Sequence, residues 1–74
     1  MLEIRERNIK NELGHEIDYV LENGVELYSQ DWNGEIYSKG YDRKNHKDTE
    51  YYYKPVYKEL ENEDFEIIGF EEHV

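Results

Sequence analysis

Two short runs of alternating side chains, Ile17-Asp18-Tyr19-Val20-Leu21 and Val25-Glu26-Leu27-Tyr28, meet at Asn23-Gly24. This arrangement constrains the fold more than any other feature. An Asn-Gly pair between period-two segments is the strongest short-range hairpin signal, because both central residues of a type I′ turn need positive φ. A second turn cluster, Gln30-Asp31-Trp32-Asn33-Gly34, precedes Glu35–Ser38, where Ile36 and Tyr37 face opposite ways. The reading is a three-strand antiparallel meander over residues 17–38.

The flanks are read around that meander. Leu2, Ile9 and Leu13 fit one face of a helix ended by Gly14, although Leu2-Glu3-Ile4 equally fits the start of a strand. Lys39–Lys47 reads as a polar, cationic loop, and Thr49–Tyr53 has strong β propensity. Pro55 requires an edge, a bulge or a strand end. Val56–Leu60 fits either a one-turn helix or a strand turning at Glu61–Asp64. Phe65–Phe70 reads as a final central strand, with Gly69 marking a bulge or a close backbone approach. The expected class is α+β, mainly β: a small antiparallel sheet or open barrel of about five strands with a short N-terminal helix.

At 74 residues the chain fits one domain, 1–74, and buries a modest core. Hydrophobic residues make up 36% and charged residues 38%, which approaches the composition of disordered chains. Eight Tyr, two Phe and one Trp reverse that reading, since each ring buries on the order of 150–250 Å². The chain has no cysteine, which removes disulfides and thiolate chemistry. Without a signal-like N-terminus or a long apolar run, the expected location is cytoplasmic and not membrane-bound.

The net charge of −10 is unevenly distributed. His15–Ser38 carries six carboxylates and Glu59–Val74 seven, with no Lys or Arg in either block, whereas residues 39–58 carry six cations against three acids. Such a chain repels nucleic acid and anionic membranes and attracts basic protein surfaces. Alternate strand residues on one face lie about 6.8 Å apart, so Glu16/Asp18, Asp64/Glu66 and an extended Glu59/Glu61/Glu63 would form rows of negative charge. Rows of that kind imitate a nucleic-acid backbone opposite a Lys/Arg groove. Their bland counterpart is a solvated face that serves solubility.

Tyr51-Tyr52-Tyr53 cannot all face one core, and Tyr28, Tyr37, Tyr41 and Tyr57 are candidates for exposed rings that anchor a protein partner. His15, His46 and His73 are isolated and lack metal-ligand spacing. No nucleophile elbow or phosphate-binding glycine loop is present, so no catalytic residue, metal or cofactor is expected.

The stretches Leu21–Gly24, Asp31–Tyr37, Tyr53–Tyr57 and Phe65–Glu71 resemble small acidic proteins of phages and other mobile elements in low-GC Gram-positive bacteria. That resemblance implies an accessory role, with anti-CRISPR and anti-restriction inhibitors among proteins of this kind. The expectation is a non-catalytic inhibitor or nucleic-acid mimic that occupies a basic groove, plausibly of a host defence nuclease, with no direct nucleic-acid contact. The candidate contacts are Glu16, Asp18, Glu22, Glu26, Asp31 and Glu35, then Glu59, Glu61, Glu63, Asp64 and Glu66, with Tyr28 and Tyr37 as anchors. The alternative is a small β interaction module without a decoy role, monomeric or weakly homodimeric through an uncovered strand edge.

Overall fold

Alternation governs far more of the chain than the meander alone. In the computed structural model, which describes residues 1–74, seven antiparallel strands form one curled sheet, a half-barrel. They are β1 (Leu2–Lys10), β2 (Glu16–Leu21), β3 (Val25–Tyr28), β4 (Tyr41–Asp42), β5 (Lys47–Asp48), β6 (Tyr52–Glu59) and β7 (Phe65–His73). Their spatial order is β5-β4-β3-β2-β1-β7-β6. The mainly β expectation holds, with seven strands in place of about five. The cationic loop is itself a small hairpin, in which Tyr41 opposes Asp48 and Asp42 opposes Lys47.

No N-terminal helix forms. Residues 2–10 are strand, paired with β2 from Ile4↔Leu21 to Lys10↔Glu16. A register shift between Ile4 and Glu6 adds a residue to β1, and Asn8 has φ 51°. A bulge of this kind breaks strict alternation after Ile4, so Leu2 and Ile9, with Leu13 beyond the strand, show the seven-and-four spacing of a helix face.

The Asn23-Gly24 hairpin forms as read, but with a three-residue loop. Gly24 alone has positive φ (87°), its N–H donates to Leu21 O at 2.9 Å, and Val25 N–H donates to Asn23 Oδ1 at 3.1 Å. Glu35–Ser38 is not a strand. Asn33 Oδ1 accepts from Glu35 N and Ile36 N, and only Tyr37 bridges, to Trp32 and to Tyr53. The Tyr37–Tyr53 bridge has paired bonds of 2.9 and 3.0 Å, linking the segment after β3 to the edge of β6.

Aromatic residues supply much of the core. Leu21, Val25, Leu27, Tyr37, Tyr53 and Phe70 are buried together, with Leu2, Ile4, Tyr19, Trp32 and Ile67 packed around them. Phe70 sits 5.0 Å from the Tyr19 ring and 5.8 Å from the Tyr37 ring. Each such side chain contributes roughly 1.5–3 kcal/mol on burial. Two glycines allow the close packing. A Cβ at Gly40 would lie 2.4 Å from Val25 Cγ1, and one at Gly69 would lie 2.6 Å from Leu2 O.

β1 and β7 pair only at Leu2↔Phe70 and Glu3↔Gly69. Beyond those pairs the β6–β7 hairpin continues as an arm, and Tyr57 opposes Ile67 after a bulge in β7. Arg7 spans the gap, donating from Nη2 to Ile67 O at 2.8 Å while lying 5.6 Å over the Tyr19 ring. The arm ends in a tight tip, closed by Leu60 N–H donating to Asp64 O at 2.8 Å.

Candidate functional site

The two acidic blocks have different fates. In the first, Glu26 and Asp18 are committed to internal contacts. Glu26 alternates with the buried Val25 and Leu27, so it lies on the opposite face, yet it is only 7% exposed. Arg43 folds back from the β4–β5 hairpin to cover it, donating from Nε to Oε2 at 2.7 Å and from Nη2 to Oε1 at 2.8 Å. Tyr28 OH adds a bond to Oε1 at 2.8 Å, and Asn11 Nδ2 donates to Tyr28 OH at 3.3 Å. The Arg43 bonds hold the Glu26 carboxyl below the usual glutamate range, against the opposing effect of burial.

Asp18 is also committed. Its two oxygens accept from Ser29 Oγ and, at 2.6 Å, from Tyr37 OH. Burial, reinforced by the Asp18 bond, pushes the Tyr37 phenol far above its ordinary range. Asp31 is half-buried at the 3-10 turn Ser29–Asp31, and desolvation raises its carboxyl. Only Glu16, Glu22 and Glu35 of the first block are fully exposed. They are dispersed at the start of β2, in the β2–β3 turn and in the loop after Asn33.

Of the two candidate anchors, Tyr37 is corrected. Tyr37 is 3% exposed and belongs to the core, because its hydroxyl reaches Asp18 and its ring stacks 4.6 Å from Trp32. Tyr28 is half-buried beside Glu26, with its ring 6.5 Å from Tyr41. It lines an open groove of about 430 Å³ shared with His15, Tyr41 and Arg43. The groove's cations are already engaged, Arg43 by Glu26 and Lys39 by Asp48 at 3.2 Å.

The second block is laid out differently. Glu59, Glu61, Glu63, Asp64 and Glu66 are all exposed at the end of the β6–β7 arm, and none makes an ion pair within 4.0 Å. Val56–Glu59 is strand and Glu61–Glu63 a single 3-10 turn, so the acids follow a strand, round a tip and return along the next strand. Among them stand Tyr57, Leu60 and Phe65, which are 52%, 41% and 64% exposed. The Tyr57 and Phe65 rings meet edge to face at 6.3 Å. Tyr57 is one of the rings that the sequence offers as exposed, whereas Phe65 is not among them. Their signal was their flanking position, one on each side of the acidic turn.

The two blocks are not joined into one patch by strand pairing. β1 lies between β2 and β7, and the arm diverges from β1 after Glu3↔Gly69. No three His, Asp or Glu side chains converge in a group suited to a metal ion, and no helix is long and apolar enough to cross a membrane. No protein-family profile, curated protein or solved structure matches the chain.

Proposed function

We propose that this chain is a non-catalytic acidic binding protein that occupies a basic, nucleic-acid-binding surface of another protein, as an inhibitor of a host defence nuclease would. The observation that carries this reading is the unpaired carboxylate run from Glu59 to Glu66 on a projecting arm. Acids dispersed only for solubility need no shared hairpin, and Lys58, in register with Glu66, forms no ion pair with any of them within 4.0 Å. The resemblance to small acidic phage proteins supplies the biological setting, in the cytoplasm of a bacterial host. Long-range steering would bring the arm to a Lys/Arg groove, and few contacts would then be needed.

Self-pairing as a bare interaction module is less well supported. β6 is an edge strand, but Pro55 lacks an N–H donor there, and Lys54 and Lys58 place charge along it. These are common devices against edge-to-edge association.

The test is a competition assay. The tagged chain is exposed at low salt to the heparin-retained protein fraction of a low-GC Gram-positive lysate, and captured nucleases are assayed for DNA binding with and without it. The expected result is loss of DNA binding, relieved as salt is raised across the range where the Debye length falls below about 8 Å. Capture of acidic proteins only, or DNA binding unaffected by saturating chain, would overturn the reading.

A further inference from the structure

Exposed apolar surface on the arm requires its own account. Tyr57 and Phe65 are on the register of Ile67 and Glu59, so Tyr57, Phe65 and the half-buried Ile67 follow one another along one face of the hairpin, with Leu60 at its tip. A purely electrostatic decoy would have no use for rings in this position, and the core does not need them, since Tyr53 and Phe70 already fill the base of the same hairpin. A contiguous apolar patch with a polar rim is the common anatomy of a protein-binding surface.

Charge decides what covers it. The rim is Glu59, Glu61, Glu63, Asp64 and Glu66, and the whole chain carries −10. A second copy would set one carboxylate rim against another, and an anionic lipid or nucleic acid would meet the same repulsion. A partner with Lys or Arg on both sides of an apolar side chain satisfies rim and centre together.

Building on the function proposed above, we infer that the tip of the β6–β7 arm is the contact surface, with Tyr57, Leu60 and Phe65 seating an apolar side chain of a basic protein segment inside the carboxylate rim. The partner is thus a cationic protein surface with an apolar knob, and cationic charge alone is not enough. Arg7 and the pairs Leu2↔Phe70 and Glu3↔Gly69 hold the base while leaving the tip free to dock.

The test uses the full ¹⁵N-labelled chain and two synthetic peptides of equal length and equal Lys content. One carries Leu and Trp between the lysines and the other Ser and Gly. The expected result is binding of the apolar peptide at least about tenfold more tightly, the scale of one anchor residue, with amide shifts confined to residues 57–67. Tyr57→Ser with Phe65→Ser should remove the difference between peptides and leave the spectrum of the β1–β5 region unchanged. Equal affinity for both peptides, or shifts centred on residues 16–35, would overturn the inference while leaving the acidic-binder reading intact. Failure of both peptides to bind at low salt would overturn that reading as well. Concentration-dependent shifts at 57–67 without peptide would identify a second copy as the occupant and also overturn the inference.

Discussion

Arg43 grips Glu26 through two hydrogen bonds of 2.7 and 2.8 Å, so the most deeply buried carboxylate of the chain is committed to an internal ion pair. The pair fastens the β4–β5 hairpin over the face of β3 that the core does not cover. Glu26→Gln leaves the shape and removes the charge, and should cost roughly 1.5–3 kcal/mol, the range for bonds to a charged group. Urea unfolding at neutral pH measures this, with binding of basic partners expected to be unchanged.

The same pair sets an acid-side pH dependence. Glu26 titrates lower in the folded chain than its ordinary value of 4.5, chiefly because of the Arg43 bonds. Its contribution is therefore complete above the unfolded value and is lost as pH falls through the lower folded value. Unfolding free energy of the wild type should decline over that acid limb. Glu26→Gln should show a shallower decline, and identical slopes would count against the assignment.

Asp18 and Tyr37 should behave as a core pair. Asp18→Asn keeps one acceptor where Ser29 and Tyr37 require two, leaving a half-buried hydroxyl without its partner at a cost of about 1–3 kcal/mol. Tyr37→Phe should recover part of that loss in the double variant, because it removes the orphaned hydroxyl. A thermodynamic cycle from chemical denaturation reads the coupling.

Gly69 tests the seam that carries the arm. A Cβ there would meet Leu2 O at 2.6 Å, which is backbone and cannot swing aside. Gly69→Ala should destabilise by about 1–3 kcal/mol, as overpacking does. Hydrogen exchange should accelerate first at Leu2, Glu3 and Phe70, and uniform acceleration over the whole sheet would contradict a local seam.

The tip holds an opposite opportunity. Asn62 and Glu63 both have positive φ, 67° and 64°, which costs an L-residue such as glutamate about 1–2 kcal/mol. Glu63→Gly should therefore raise stability by several tenths of a kcal/mol or more, offset by glycine's greater unfolded-state entropy. It should also weaken binding to a basic partner, separating stability from function in one substitution.

The legible parts of this fold were those written in short-range chemistry. The Asn23-Gly24 hairpin and the edge position of Pro55 followed from turn and proline stereochemistry, and the Gly69 approach from a glycine in an apolar strand. The β1 strand was obscured because its bulge and the positive φ of Asn8 broke the alternation that would have revealed it. Tyr37 and Asp18 were misread as surface groups because their burial depends on a contact between residues 19 positions apart. Nor does local composition distinguish Glu26 from Glu22. Only the return of Arg43 does so.

The central claim is that unpaired acid on the β6–β7 arm, not the acid of β2–β3, drives association with a basic partner. Its most direct measurement is the dependence of affinity on salt for a captured nucleic-acid-binding protein. Wild type is compared with Glu59→Gln/Glu61→Gln/Glu63→Gln and with Glu16→Gln/Glu22→Gln/Glu35→Gln, which remove equal charge. The arm variant should bind more weakly and lose most of its salt dependence, while the other should stay close to wild type. Equal effects of the two variants, or a wild-type affinity indifferent to salt, would contradict the account.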